Sequence, residues 1–108
     1  MCEDDDGIRE VITLALRNEN YEIVSMMSGS EIHSTIESLR PHIILIDLFL
    51  GHSRSDTIIT EIKTRNAKQR VILMSGHTDL AMTAEKLGVE YLAKPFGLVE
   101  LLTIVNRD

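Results

Sequence analysis

The sequence predicts an α/β fold, a doubly wound parallel sheet with helices on both faces. Two observations carry this. Segments patterned as strands alternate with segments whose apolar residues recur at helical spacing, the signature of successive βαβ units. Two short runs, Ile43-Ile44-Leu45-Ile46 and Val71-Ile72-Leu73-Met74, are apolar throughout rather than at every second position. Strands covered by helices on both sides of a parallel sheet read this way.

The elements follow in order. Ile8, Val11, Ile12, Ala15 and Leu16 predict a first helix, with the acids Asp5 and Asp6 available to cap it or favour its positive end. Tyr21 to Met26 reads as a strand. Ser28 and Glu31 have the spacing of a capping box and predict the start of a second helix carrying Ile32, Ile36 and Leu39. Pro41 stops that helix, because proline lacks the N–H needed to continue it. The strand Ile43 to Ile46 comes next, then a third helix marked by Ile58, Ile59 and Ile62. After the strand Val71 to Met74, Thr78 or Asp79 is placed to cap a fourth helix, and Gly88 to end it in a left-handed conformation. Val89 to Ala93 predicts the last strand, and Leu98, Leu101, Leu102 and Val105 the stripe of the last helix.

At 108 residues the chain has the size of one domain, expected to span 1–108 with no output domain beside it. With 44% hydrophobic and 26% charged residues it has the balance of a globular protein, not a disordered one. The net charge of -6 argues against direct contact with nucleic acid, and 4% aromatics offer no stacking platform for single strands. The apolar stretches are too short to cross a bilayer, and no signal-peptide pattern opens the chain. A lone Cys2 fits a reducing cytoplasm, the expected location, and is predicted to be a buried strand residue rather than a nucleophile.

In a parallel α/β sheet the site lies beyond the carboxyl ends of the strands. Glu3, Asp4, Asp47, Ser75 and Lys94 all fall at or just past predicted strand ends. Carboxylates gathered there repel one another unless a cation joins them, and Mg²⁺ favours a few carboxylates plus waters and phosphate oxygens. Glu3, Asp4 and one oxygen of Asp47 are therefore the candidate magnesium ligands. The other Asp47 oxygen is a candidate nucleophile toward phosphorus. Ser75 is placed to donate to a phosphoryl oxygen, and Lys94 to balance its charge. Of the histidines, His77 is expected to be an ordinary loop residue, and His33, His42 and His52 lack metal-ligand spacing. Met26, Met27, Met74 and Met82 are expected to fill the core.

EDD near the start, IILIDLFL, VILMSG and YLAKPF stand in this order along the chain. Together they resemble the receiver domain of bacterial two-component signalling over essentially its whole length. The resemblance implies one five-stranded parallel sheet in the order 2-1-3-4-5. It implies that Asp47 accepts a phosphoryl group from a histidine kinase or phosphotransfer protein. It also implies that the Phe49 backbone carbonyl joins Glu3, Asp4 and Asp47 as a metal ligand. Ser75 and Tyr91 become the switch pair, Lys94 the phosphate-binding lysine, and the Lys94-Pro95 bond is expected to be cis. The signal would pass to a downstream output protein or domain, or to a second copy, through the fourth helix, last strand and last helix. Two alternatives remain at this stage. One is a degenerate receiver acting as a phosphate-independent interaction module. The other is a metal-dependent phosphatase, for which the residue two past Asp47 would usually be a second aspartate and is instead Phe49.

The chain departs from the receiver pattern in five places. Only Met1 and Cys2 precede the acidic pair, so the first strand is expected to be truncated. Gly51 stands where proline is usual, Ser55 where glycine is usual, and Arg54 where an acidic or polar residue is common. Gly97 replaces a better helix cap. Phe49 and His77, each two residues past a site residue, are expected to flank the path of water toward an acyl phosphate.

Overall fold

The computed structural model describes residues 1–107. Its helices are α1 (Asp6–Asn18), α2 (Ile32–Leu39), α3 (Asp56–Arg65), α4 (Leu80–Leu87) and α5 (Leu98–Val105). Its strands are β1 (Ile43–Asp47), β2 (Phe49–Leu50), β3 (Ser53–Arg54), β4 (Arg70–Ser75) and β5 (Glu90–Ala93).

The two apolar runs are neighbouring strands of a parallel sheet, buried as their patterning predicts. β1 pairs parallel with β4 from Ile43↔Arg70 to Asp47↔Met74, and β4 pairs parallel with β5. Successive side chains of a strand point to opposite faces, so one strand feeds two cores. Ile44, Ile46, Val71 and Leu73 pack in one cluster with Ile32 of α2, Ile59 and Ile62 of α3 and Ala84 of α4. Leu45, Ile72, Met74 and Leu92 pack in the other with Ile12 and Leu16 of α1 and Leu101, Ile104 and Val105 of α5. The doubly wound arrangement follows directly from that split.

The single five-stranded sheet in the order 2-1-3-4-5 is not formed. The five strands belong to two sheets, a parallel one in the order β1-β4-β5 and a two-stranded antiparallel one, β2-β3. The segment Tyr21 to Met26 is not a strand either, and only Met26 pairs, through one bridge to Cys2. Cys2 bridges Met26 on one side and Ile46 on the other, both in parallel sense. Its N–H donates to the Leu45 carbonyl at 2.8 Å, and its carbonyl accepts from Asp47 N–H at 3.0 Å. The order of neighbours is therefore kept at one residue. A ladder needs backbone on both sides at each step, and residues 22 to 25 face no strand. A groove of about 670 Å³ lies there instead, lined by Met1, Tyr21, Ile23, Ile36 and Ile43 among others.

Capping differs from the sequence reading in detail. The Asp5 side chain caps α1, accepting from Ile8 N–H at 2.9 Å, and Asp6 is the first helical residue. The Ser28–Glu31 capping box does not form, because α2 starts at Ile32 and Glu31 itself occupies the cap position. The Ser28 hydroxyl instead meets that of Ser30 at 3.0 Å. Gly88 ends α4 with φ +70°, as expected. At α5 the Gly97 N–H donates to the Glu100 carboxylate at 2.5 Å, which supplies the cap contact that glycine has no side chain to make. Of the four methionines named above, Met74 is in the core and Met26 packs against it, whereas Met27 and Met82 are exposed. No helix among the described residues is long and apolar enough to cross a membrane.

Arg70 ties the sheet to the end of α5. Its guanidinium donates to both Glu90 oxygens at 2.8 and 2.7 Å and to the carbonyls of Ile104 and Arg107, each at 2.9 Å. The Arg70 hydrogen bonds hold the Glu90 carboxyl below its ordinary range. A depressed carboxylate stabilises the fold above its unfolded pKa, about 4.3, and that contribution fades as pH falls through the folded value. Arg70→Met is expected to cost about 1–3 kcal/mol at pH 7, and part of the deficit disappears below pH ~4. Urea unfolding of wild type and variant at both pH values checks it, and a deficit that does not change with pH refutes the linkage.

Candidate functional site

Each predicted site residue except Tyr91 lies at the carboxyl end of the parallel sheet. Asp47 is the last residue of β1 and is buried; Ser75 is the last residue of β4 and is also buried. Lys94 follows β5, held to the end of β4 by its N–H bond to the Ser75 carbonyl at 2.8 Å. The Lys94-Pro95 bond is cis, as expected. Glu3 is fully buried just after the Cys2 bridge, and its carbonyl accepts from the Arg9 guanidinium at 2.9 Å. Asp4 is exposed, and its Oδ2 accepts from Gly51 N–H at 2.8 Å.

The Lys94 ammonium joins the acids, lying 2.5 Å from Glu3 Oε1 and 2.7 Å from Asp47 Oδ2. Burial by itself lowers the Lys94 pKa, but the hydrogen bonds and charges of Asp47 and Glu3 outweigh it and raise the pKa. Burial pushes the Glu3 carboxyl up, and the nearby Asp47 adds to this against the opposing Lys94. Asp4 is held below its usual range by the Gly51 N–H.

Glu3, Asp4 and Asp47 each offer an oxygen, and these oxygens all lie within 4.8 Å of one another. Three carboxylates exceed the single charge of Lys94, and a divalent cation is what would neutralise the excess. The donors are hard oxygens on a partly open surface, which suits an ion that keeps several waters. The site fits Mg²⁺, held by Glu3, Asp4 and Asp47.

Ser55 and Arg54 have roles that the sequence does not announce. The buried Ser55 hydroxyl donates to the Asp47 carbonyl at 2.8 Å, and Ser55 N–H donates to the Leu48 carbonyl at 2.8 Å. Ser55 therefore fixes the backbone at Asp47. Glycine, usual here, has no hydroxyl to do this. Arg54 pairs with Asp56 at 2.7 and 3.1 Å, and its guanidinium carbon lies 5.2 Å from the Phe49 ring centroid. The Phe49 and His77 rings lie 4.9 Å apart at 38°. His77 N–H donates to Ser75 Oγ at 3.0 Å. Tyr91, on β5 opposite Leu73, is 46% exposed and outside the cluster.

A family model described as the response regulator receiver domain matches residues 1–106. The chain is 31% identical over 110 residues to the DNA-binding transcriptional regulator NtrC of Klebsiella pneumoniae, covering 99% of this chain and 24% of that protein. It is 29% identical to the transcriptional regulatory protein CssR of Bacillus subtilis, again over 99% of this chain but 48% of that protein. The chain therefore spans less than half the length of either relative. Among solved structures, a putative response regulator from Chloroflexus aurantiacus superposes with a TM-score of 0.87 at 25% identity, covering 97% of this chain and 90% of that one. The receiver domain of NtrX from Brucella abortus gives 0.90 at 23% identity, with coverage of 98% and 92%, a likeness of fold. The beryllofluoride-activated NtrC4 receiver domain dimer gives 0.87 at 25% identity, covering 97% and 89%.

Proposed function

The chain belongs to the response regulator receiver domain family, and from that premise we propose Asp47 as its phosphoacceptor. The domain is a phosphorylation-controlled signalling switch that uses Mg²⁺ and catalyses only its own phosphorylation and dephosphorylation. The observation that carries the assignment to Asp47 is the gathering of Glu3, Asp4 and Asp47 within 4.8 Å, with Lys94 on both Glu3 and Asp47.

The chemistry follows from these positions. An Asp47 oxygen forms a bond to phosphorus as the bond to the donor's histidine nitrogen breaks, and the electron pair of that bond stays on nitrogen. Magnesium, when bound, supplies positive charge to the phosphoryl oxygens, with Glu3, Asp4, Asp47 and the Phe49 carbonyl as its protein ligands. Lys94 is close enough to Asp47 to follow the growing negative charge. Ser75, whose oxygen accepts from His77 N–H, keeps its own proton to donate to a phosphoryl oxygen. The exposed Tyr91 then moves toward the space Ser75 leaves. Phosphorylation acts by favouring one of two arrangements of this pair.

The donor is a histidine kinase or phosphotransfer protein. The receiving surface is the face of α4, β5 and α5, where Met82, Tyr91, Leu98 and Val99 are exposed, Val99 at 76%. A downstream protein or domain, or a second copy of this chain, docks there. The receiver domain of NtrC4 in its beryllofluoride-activated form is a dimer, which supports the second copy as one occupant. The test of the whole reading is a magnesium-dependent adduct with acetyl phosphate or beryllofluoride that is lost in Asp47→Asn. A chain that binds its partner equally well without any adduct is a phosphate-independent module instead.

The Phe49–His77 stack bears on how long the phosphoryl group lasts. Phe49→Asn is expected to speed phosphate loss several-fold by replacing an apolar ring with a side chain that holds water. Phosphate release from acetyl phosphate-loaded protein measures it, and equal rates in wild type and variant sink the idea.

A further inference from the structure

Asp4 is the one carboxylate of the metal cluster that is exposed and outside the reach of Lys94's hydrogen bonds. An exposed aspartate on a loop samples several rotamers, and ordering it to bind an ion costs entropy. Here one backbone amide removes that freedom. Asp4 Oδ2 accepts from Gly51 N–H at 2.8 Å, across 47 residues of sequence.

Gly51 is built to present that amide. It lies with His52 in the two-residue turn between β2 and β3, where Leu50 pairs with Ser53. Its φ is +64°, while His52 is not in the positive-φ region. A tight hairpin with positive φ at its first central residue calls for glycine. Crowding has no part in that requirement, since nothing lies within 4 Å of where an L side chain's Cβ would sit. A proline here would have φ near −65° and no N–H, so it would permit neither the turn nor the bond. Glycine at this position thus supplies a donor, and that donor reaches Asp4. A carboxylate can accept an amide on one oxygen and coordinate through the other, and partners of this kind orient metal ligands.

We propose that Gly51, through its backbone amide, is a positioning residue for the magnesium ligand Asp4 and thereby couples the β2-β3 hairpin to occupancy of the metal site. The inference rests on the magnesium reading above and specifies it further. The same hairpin carries Phe49 and Arg54, and the Phe49 N–H lies 3.4 Å from Asp47 Oδ1.

The test separates the amide from the turn. The full chain is assembled by chemical ligation in two altered forms. In one, glycolic acid replaces Gly51, which turns the amide into an ester, deletes the N–H and leaves the Leu50 carbonyl a weaker acceptor. In the other, D-alanine replaces Gly51, which keeps the N–H and suits positive φ. Binding of Mg²⁺ alone is measured by calorimetry, and hydrogen exchange of the hairpin amides is followed with and without the ion. The ester is expected to weaken Mg²⁺ binding about 10-fold and to abolish ion-induced protection of the hairpin. The D-alanine form is expected to behave as wild type. An ester that binds Mg²⁺ as well as wild type overturns the proposal and leaves the magnesium reading intact. Equal weakening in both forms assigns the effect to turn shape and also overturns it. A wild-type chain that binds no Mg²⁺ removes both readings.

Discussion

Asp47→Asn is expected to abolish adduct formation with acetyl phosphate and beryllofluoride, a loss on the order of 10⁴-fold or more in rate. The amide keeps the shape of the side chain but is a far weaker nucleophile than the carboxylate. The backbone groups that hold position 47 are untouched. Its N–H still donates to Cys2, and its carbonyl still accepts from Ser55. Lys94 keeps Glu3 as its partner and the uncharged amide no longer repels Glu3, so the variant is expected to unfold within about 1 kcal/mol of wild type. Intact-protein mass with and without Mg²⁺, set beside a urea melt, gives both numbers. A full adduct in the variant moves the phosphoacceptor away from Asp47.

The second large effect is on stability. Lys94→Met leaves the buried carboxylates Glu3 and Asp47 facing each other without their shared ammonium. Removing one member of a buried ion cluster costs about 3–5 kcal/mol, because the remaining charge keeps its desolvation penalty. The sign of the pH dependence follows from the raised pKa values. Lys94 is raised, so in wild type its contribution is complete below its unfolded pKa of about 10.4 and is lost only as pH rises through the folded value. Glu3 is raised by burial and then by Asp47, so protonation favours the fold. Its contribution is complete below about pH 4.3 and is lost as pH rises through its folded pKa. The Lys94→Met deficit is therefore expected to be large at pH 7, smaller at pH 5, and partly offset by Mg²⁺. Denaturant melts at both pH values with and without the ion check it. A variant as stable as wild type at pH 7 contradicts the electrostatic account.

Much of the fold is legible because its determinants are local. The two apolar runs become paired, buried strands of the parallel sheet, and the helical stripes become helices that bury Ile12, Ile59 and Leu101. What fails is pairing that depends on a distant neighbour. Tyr21 to Met26 has strand composition, but a strand exists only when another backbone lies beside it, and Cys2 supplies that at one position. The Ser28–Glu31 spacing fits a cap, yet packing of Ile32 starts the helix later. β2 and β3, two residues each, are too short to leave any periodicity.

The places of Asp47, Ser75 and Lys94 at the carboxyl ends of strands were legible in the sequence alone, as was the nearness of Glu3 and Asp4 to Asp47. Asp47 and Ser75 end the two apolar runs and Lys94 follows the last strand, so covalent spacing fixes which strand end each occupies. Glu3 and Asp4, by contrast, follow only the single bridging residue Cys2. Only the tertiary structure decided how these groups divide their contacts. It placed Lys94 on Glu3 and Asp47, gave Asp4 to the Gly51 amide, and bonded the Ser55 hydroxyl to the Asp47 carbonyl. It also decided that five strands make two sheets. The reason is the same throughout. A hydrogen bond across 47 or 91 residues depends on where the whole chain brings two atoms, and no local pattern encodes that distance.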